Sequence, residues 1–410
     1  MPGRPGTVTS ARPAPGSRWR TPLAAILTVL AILMLGACSP GTQGSPGQTV
    51  PAQPPVKHVF VIVLENVSYD SAYGTSPVYP YLANTLRPQG LLLNQFYAVA
   101  HWSLGNYLAL LGGVAPTKDI RNDCTSYRDM LDAKPAADGQ VKAGHGCVFP
   151  KSVPTLAGQL TSKQLTWKGY MQDMGNNPGR EQSTCGRPGL GTNNTDLTQT
   201  SSPGDNYAAR HNPFIYFSSV RDTPACAAQV LPLTQLGLDL KSEAATPNYS
   251  FISPNLCDDG HNECAAPSNP DSWLSTWIPK IMASPAYKDS MIVILADEAK
   301  NDSRACCQEP SGPNLAYPGG PTTALVQAEG AGKGGGRIGA LVLSPFVKAN
   351  STSTVPYNDY SLLRSIENIF ALPYIGYAAQ PTLAGFGPDV WNAATGTPSP
   401  TTGPTAPTKR

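Results

Sequence analysis

The strongest constraint on the fold is an unbroken run of apolar residues at positions 59–64, in which β-branched side chains predominate. A run without polar alternation is typical of a strand buried on both faces of a sheet. Residues 291–295 have the same character, and residues 338–343 show a weaker version of it. Helical patterns occupy residues 273–282 and 360–370. This order of elements predicts an α/β fold, a three-layer α/β/α sandwich with a mostly parallel central sheet.

The two ends of the chain differ in composition from its middle. Residues 1–38 join a basic segment to an apolar run shorter than the roughly 20 residues of a membrane-spanning helix, which predicts a lipoprotein signal peptide. Cys38 follows small residues in a pattern that resembles the bacterial lipobox, so we expect lipidation there, with ordinary signal cleavage nearby as the alternative. Either interpretation predicts an extracytoplasmic protein. Residues 39–55 are predicted to be a flexible tether, residues 56–390 the folded domain and residues 391–410 a disordered tail.

Eight cysteines follow Cys38, which is an even number and favours disulfides in an exported chain. No C-x-x-C pair occurs, so a structural zinc site is not expected. The adjacent Cys306 and Cys307 could pair with each other, but separate partners are favoured. Residues 121–210 are rich in Gly, Pro and Asn and are predicted to form a disulfide-stapled excursion over the sheet.

The charge of the chain does not identify a partner. The net charge is +2 and only 14% of the residues are charged. A chain without an extended basic field has no electrostatic attraction for nucleic acid, so no nucleic-acid partner is predicted.

Acidic residues follow the two strongest predicted strands. Glu65 and Asn66 come directly after the first run, and Asp297 and Glu298 come just after the second. Ligands of open α/β sheets bind beyond the carboxyl ends of the strands, so these side chains are expected to converge. Hard oxygen ligands suit a divalent cation. Either pair alone could be ordinary turn residues, but the two together predict a metal site.

Ser103 precedes an apolar run of helical length that ends at Gly112 and Gly113. This position predicts a helix N-cap. A helix N-terminus also offers free N–H groups and a positive dipole end, which would stabilise a phosphate or a serine alkoxide. Ser103 is therefore a candidate for either a cap or a nucleophile.

A short acidic segment lies between Cys257 and Cys264 and contains Asp259 and His261. A disulfide between these cysteines would hold His261 in the fixed position that an acid, base or metal ligand needs. The alternative is a braced surface loop whose histidine has no role.

Five segments together resemble the bacterial phosphoesterase family, which contains secreted acid phosphatases and phospholipases C with an alkaline phosphatase-like fold. They are residues 58–70, 101–113, 251–262, 292–298 and 361–372. The resemblance is greatest to the acid phosphatase branch. It implies that residues 56–390 form a phosphoesterase catalytic domain.

The resemblance also implies roles for particular residues. Ser103 would be the nucleophile, Asn106 a donor to a phosphate oxygen and His261 a group near the leaving alcohol. Glu65, Asn66, Asp297 and Glu298 would hold or support a divalent metal, and His101 and Asp259 would contact substrate. The chain departs from the family pattern at Trp102 and Gly105, which replace two prolines, and at Asp359, close to where many members have a histidine.

These observations predict an acid phosphatase that hydrolyses phosphate monoesters through a phosphoserine intermediate with the help of a divalent metal ion. Phosphoinositide phosphates are candidate substrates, because a lipid anchor at Cys38 would hold the site near phospholipid head groups. A phospholipase C-type phosphodiesterase is the main alternative. A serine carboxylesterase is less favoured, since no histidine follows Asp297 to complete a triad in the usual order. A non-catalytic binding lipoprotein is the remaining alternative.

Overall fold

A computed structural model describes residues 53–265, 267–315 and 333–392. The predicted signal peptide, the lipidation site at Cys38, nearly all of the predicted tether and the tail beyond residue 392 lie outside the described residues. In the part of the chain that is described, no helix is both long and apolar enough to cross a membrane.

An eight-stranded sheet organises the structure, with strands in the order β12-β2-β11-β9-β1-β8-β6-β7. Its strands are β1 (His58–Leu64), β2 (Leu91–Leu93), β6 (Trp167–Met171), β7 (Val230–Pro232), β8 (Tyr249–Ser253), β9 (Ser290–Ala296), β11 (Ala340–Leu343) and β12 (Ser351–Ser353). Two smaller sheets contain β3 (Phe96–Ala98), β10 (Gly336–Arg337) and β13 (Tyr357–Asn358), and β4 (Lys134–Pro135) and β5 (Val141–Lys142).

The helices are mostly short. They are α1 (Tyr69–Tyr73), α2 (Ser103–Gly112), α3 (Lys118–Arg121), α4 (Leu156–Ser162), α5 (Ser218–Arg221), α6 (Pro224–Gln229), α7 (Thr234–Asp239), α8 (Pro270–Met282) and α9 (Asp359–Ile369). A π-helical turn spans Tyr81–Leu86, and a 3₁₀ turn that matters for the site spans Ala209–His211.

The central sheet is mostly parallel, as the sequence predicted. β1 lies between β8 and β9 and is parallel to both, with Val61 opposite Phe251 on one side and Val293 on the other. β11 is the exception, because it runs antiparallel to both β9 and β2. The carboxyl ends of β1, β8 and β9 therefore meet at one edge of the sheet.

Successive side chains of β1 pack on opposite faces of the sheet. Val61 belongs to a core with residues of α2, α4 and α9, whereas Phe60 and Ile62 belong to a second core with residues of α8. These side chains are at most 1% exposed. Because full burial of such a side chain contributes about 1.5–3 kcal/mol, both faces of the strand stabilise the layers that cover them. The predicted three-layer α/β/α architecture is confirmed.

The middle of the chain is more regular than predicted. Residues 121–210 contain the Cys124–Cys147 disulfide and one cysteine of the Cys185–Cys226 disulfide, but they also contain α4 and the strand β6, which lies in the main sheet. The sequence of β6 concealed it, since Gly169 weakens a strand pattern. A Cβ at Gly169 would lie 2.5 Å from the ring of Phe214, so the glycine allows that ring to pack on the sheet.

The eight cysteines of the folded domain form four disulfides. The pairs are Cys124–Cys147, Cys185–Cys226, Cys257–Cys264 and Cys306–Cys307. The predicted closure of the His261 loop by its flanking cysteines is confirmed. The expectation of separate partners for Cys306 and Cys307 is wrong, because the other six cysteines pair among themselves and leave these two neighbours for each other.

Candidate active site

Acidic residues converge at the carboxyl ends of β1 and β9. Glu65 and Asn66 come directly after β1, and Asp297 and Glu298 directly after β9. The backbone N–H of Asn66 donates to Oδ1 of Asp297 at 2.9 Å. Asn66 has a left-handed φ of 55°, and its side-chain amide donates to Oε2 of Glu65 at 3.2 Å. The structure therefore brings the two strand ends together, as the strand pattern predicted.

Ser103 is the first residue of α2 and does not cap it. Trp102 occupies the N-cap position and makes no side-chain hydrogen bond to the helix. The backbone N–H of Leu104 donates instead to Oδ1 of Asp123 at 3.0 Å. The N-cap interpretation of Ser103 is therefore wrong by one position. Because the carboxyl of Asp123 binds the free helix N–H, the serine hydroxyl is left for another partner.

That partner is the carboxyl group of Glu65. The Ser103 hydroxyl donates to Oε2 at 2.9 Å, and the Tyr107 hydroxyl donates to Oε1 at 2.6 Å. Burial raises the pKa of Glu65 well above its usual range, and repulsion by Asp297 and Asp259 raises it further. A carboxyl group with a raised pKa in contact with a hydroxyl is suited to orient it and to accept its proton.

His211 lies between two carboxyl groups of the site, those of Glu65 and Asp259. Its Nε2 is 3.2 Å from Oε1 of Glu65, and its Nδ1 is 3.1 Å from Oδ2 of Asp259. The imidazole stacks on the Tyr107 ring with centroids 5.2 Å apart. Burial lowers the pKa of His211 well below its usual range, and the positive charge of Arg210 lowers it further. The ring is therefore neutral, which is the form that ligates metals.

The Glu65, His211 and Asp259 group fits a divalent cation. One ligand atom from each side chain lies within 4.8 Å of the others. Both ring nitrogens of His211, Oδ2 of Asp259 and Oδ2 of nearby Asp297 are buried without a hydrogen-bond partner. Buried polar atoms without partners are unfavourable, and a cation held by the carboxylate oxygens and the unprotonated ring nitrogen would relieve this cost. Carboxylate and imidazole donors suit a metal such as zinc, manganese or iron.

Glu298, the residue after Asp297, forms a buried pair with His101. Nδ1 of His101 bonds to Oε2 of Glu298, and Nε2 bonds to the carbonyl of Asp302 at 2.8 Å. Although burial alone would lower the pKa of His101, the hydrogen bond to Glu298 raises it to about 9. Since a carbonyl only accepts and Glu298 accepts when ionised, both ring nitrogens donate and His101 is a cation. Glu298 is thereby turned toward the imidazolium.

Asn106 binds the backbone at the turn that leads into α2. Its Oδ1 accepts from the N–H of Val99 at 3.0 Å and of Ala100 at 2.8 Å, and its Nδ2 donates to the Ala100 carbonyl at 2.8 Å. Oδ2 of Asp359 also accepts from the Val99 N–H, at 3.1 Å. The side chain predicted to meet a phosphate oxygen thus holds the approach to Ser103 in place, and its contact with phosphate stays a prediction.

His261 lies on the loop closed by Cys257–Cys264. Its Nε2 is 3.1 Å from Nη2 of Arg210, and its Nδ1 is 2.9 Å from Oδ1 of Asn262. A guanidinium only donates, so Nε2 is the acceptor and Nδ1 carries the hydrogen. Burial lowers the pKa of His261, and the charge of Arg210 lowers it further. The loop also positions Asp259, whose Oδ1 accepts from the His261 backbone N–H at 2.7 Å.

Sequence reasoning missed four residues that the structure places in the site: Tyr107, Asp123, Arg210 and His211. In the sequence, Tyr107 has the pattern of an ordinary apolar position of α2, and Asp123 has that of a turn residue. Arg210 and His211 lie on a 3₁₀ turn with no adjacent strand pattern to mark them. The scarcity of histidine, five in 410 residues, was the available signal.

Comparisons with known proteins identify the family of this chain. The model of the Phosphoesterase family matches residues 79–373, well over half of the chain. The chain is 23% identical to a probable acid phosphatase of Kluyveromyces lactis, over 58% of this chain and 46% of that protein. It is 25% identical to the phosphate-repressible acid phosphatase of Penicillium chrysogenum, over 71% and 54%. The chain thus spans about half the length of these two relatives.

A bacterial relative is matched over nearly its whole length. The phosphatidylinositol-3-phosphatase of Mycobacterium tuberculosis is 24% identical, over 86% of this chain and 90% of that protein. Among solved structures, an alkaline phosphatase superfamily protein from Vibrio parahaemolyticus is 12% identical with a TM-score of 0.44, over 81% of this chain and 72% of that one. The extent of the family match settles membership: this chain belongs to the phosphoesterase family.

Proposed function

We propose that this protein is a phosphoric monoester hydrolase in which Ser103 is the nucleophile. The observation that carries the proposal is the 2.9 Å hydrogen bond from the Ser103 hydroxyl to Glu65, at the first turn of α2. A hydroxyl held there by a buried carboxyl group lies next to a helix end that favours negative charge. A serine esterase would instead bring a histidine to the hydroxyl.

The reaction has two steps. In the first, Ser103 transfers its proton to Glu65 as Oγ forms a bond to phosphorus, and the bond from phosphorus to the leaving alkoxide breaks. His261, at the rim, is the candidate for the group that delivers a proton to the leaving oxygen, a role for which Nε2, the acceptor of the Arg210 hydrogen bond in the unliganded structure, must first take up a proton. In the second step, water attacks the phosphoserine and passes one proton back to His261, the bond from phosphorus to Oγ breaks, and the proton on Glu65 returns to Ser103.

The metal requirement is part of the proposal. Glu65 belongs to two candidate sets of metal ligands. One is the set predicted from the sequence, which also contains Asn66, Asp297 and Glu298. The other is the buried group with His211 and Asp259. A divalent ion at Glu65 would supply positive charge that lowers the pKa of the serine hydroxyl and offsets the charge of the phosphoryl oxygens. The chain itself orients the hydroxyl and excludes water, since Ser103 is only 2% exposed.

The names of the relatives and the predicted anchor support a proposal for the substrate class. Several relatives are named acid phosphatases, and one is named a phosphatidylinositol-3-phosphatase. We propose phosphate monoesters, including the head groups of phosphoinositides, as substrates of an extracytoplasmic enzyme held at the cell membrane through Cys38.

The test compares Ser103→Ala with Ser275→Ala, which removes an exposed hydroxyl of α8. With p-nitrophenyl phosphate, Ser103→Ala should abolish turnover while its circular dichroism stays native, and Ser275→Ala should behave as wild type. Near wild-type activity of folded Ser103→Ala would contradict the proposal. A panel of phosphomonoesters and phosphodiesters with the wild type separates a monoesterase from a phospholipase C.

A further inference from the structure

The guanidinium of Arg210 is buried with fewer partners than its charge requires. Arg210 is 2% exposed and lies on the turn Ala209–His211. Nη1 donates to the Gln199 carbonyl at 3.0 Å and Nη2 to Nε2 of His261 at 3.1 Å. Nε is buried without a hydrogen bond, and the Asp123 carboxyl stands 3.9 Å from it. Buried guanidinium groups normally use their donors on carboxylates or phosphates, so this one has unused binding capacity.

Two sets of contacts link this guanidinium to the residues around the serine. Asp123, its acidic neighbour, accepts from the N–H of Leu104, the residue after Ser103. The next residue in the chain, His211, is 3.2 Å from Glu65, which binds the Ser103 hydroxyl. The charge of Arg210 also acts on the acids of the site, since it offsets part of the rise that burial causes in the pKa of Glu65 and of Asp259.

We propose that Arg210 binds the non-bridging oxygens of the substrate phosphoryl group and releases its hydrogen bond to His261 when it does so. This inference rests on the proposed phosphomonoesterase function and assigns the residue that recognises its phosphoryl group. A phosphate dianion accepts stronger, charge-assisted bonds from a guanidinium than a neutral imidazole nitrogen does. Release of the hydrogen bond from Arg210 leaves Nε2 of His261 free to face the leaving oxygen or the attacking water.

Asp123 occupies part of the same site in the unliganded protein. Its carboxyl binds the helix N–H at Leu104 and stands near Arg210, where a phosphoryl group would use both kinds of donor. Removing the negative charge of Asp123 should therefore tighten the binding of phosphate, whereas removing the positive charge of Arg210 should weaken it.

The experiment measures inhibition of p-nitrophenyl phosphate turnover by inorganic phosphate, and direct binding of inorganic phosphate by calorimetry. The variants are Arg210→Gln, Arg210→Lys and Asp123→Asn. Arg187→Gln, which alters a partly exposed arginine 3.4 Å from Asp222, is the control. We expect the inhibition constant to rise about 10- to 100-fold in Arg210→Gln, the range for loss of a hydrogen bond to a charged group. Arg210→Lys should lie between that variant and wild type, because a point charge replaces a planar fork.

Unchanged phosphate affinity in folded Arg210→Gln would overturn the inference, with Arg210 then serving only to offset the acidic cluster. If Arg210→Gln does not fold, unchanged or weaker phosphate binding in Asp123→Asn contradicts it equally. Calorimetry separates this failure from failure of the proposed function. A wild type that binds phosphate through Arg210 but hydrolyses no monoester would contradict the proposed function and support the phosphate site. A wild type that neither binds phosphate nor hydrolyses a monoester would contradict both.

Discussion

The amino ends and the carboxyl ends of β1 and β9 both carry acidic residues. Those at the amino ends pair with exposed lysines, whereas those at the carboxyl ends are buried. At the amino ends, Lys57 pairs with Asp289 at 2.7 Å, and Lys288 pairs with Glu243 at 2.6 Å, with both lysine side chains more than half exposed. At the carboxyl ends, Glu65 and Asp297 are at most 1% exposed.

The difference shows that unfavourable electrostatic interactions are concentrated at the carboxyl ends of these strands. Exposed pairs at the amino ends are screened by water and contribute little to stability. Carboxyl groups gathered in a buried place repel one another and raise each other's pKa, as Asp259 and Asp297 do to Glu65. Such arrangements are typical of sites that bind or catalyse. Four experiments test whether the two ends differ in this way.

The largest effect is expected from Glu65→Gln, which keeps the shape of the side chain and removes its charge. Loss of the group that accepts the serine proton should lower kcat/KM for p-nitrophenyl phosphate about 10²–10⁴-fold. Because burial raises the pKa of Glu65 and makes its ionised form unfavourable, a neutral amide there should cause no loss of stability when urea unfolding is measured in chelator. Glu243→Gln, at the amino end, is the matched control and should keep full activity. Full activity of Glu65→Gln would remove the distinction between the two ends.

Removal of metal should have the next largest effect. Chelation should lower activity at least tenfold and lower the thermal midpoint, since a cation that binds only the folded state stabilises it. Activity and the midpoint should return together as individual divalent ions are added back. A chelated protein with unchanged activity and midpoint would show that the carboxyl-end acids hold no ion.

A buried carboxyl group outside both ends separates the effect of burial from that of function. Glu367 in α9 is fully buried, its Oε1 accepts from the Ile375 N–H at 3.0 Å, and burial raises its pKa to about 9. A folded-state pKa above the unfolded value means that the stability contribution is present at low pH and lost as pH rises. The free energy of unfolding of the wild type should therefore fall as the pH rises from about 5 to about 8, and that of Glu367→Gln should not. In urea titrations the variant should gain about 1–3 kcal/mol relative to wild type across this range, without loss of activity. A gain that does not change with pH would contradict the assignment.

The smallest effect is expected at the amino ends. Asp289→Asn removes the partner of Lys57. The thermal midpoint should fall slightly at low salt and match wild type at about 1 M salt, because exposed pairs are screened. Activity should not change. A large loss of stability that persists at high salt would show that the amino ends are as electrostatically demanding as the carboxyl ends.

Local patterns predicted the layers and the strand ends of this protein, because unbroken apolar runs mark buried strands. The direction of β11 could not be predicted, since an apolar run has the same pattern in either direction. β6 was hidden because Gly169 and a lysine interrupt its apolar character.

The residues of the site were likewise predicted only in part. The convergence of Glu65, Asn66 and Asp297 followed from their positions after strands. His211 and Arg210 lie on an irregular turn, so only the three-dimensional fold reveals that they join Glu65 and His261.

Trapping the phosphoenzyme shows directly whether Ser103 is the nucleophile. Wild-type protein mixed with p-nitrophenyl phosphate and quenched rapidly in acid should yield a peptide that carries one phosphate on Ser103 in mass spectrometry. Under the same conditions, Ser275→Ala should give the labelled peptide and Ser103→Ala should give none. Efficient turnover with no label on Ser103, or with the label on another residue, would contradict the account.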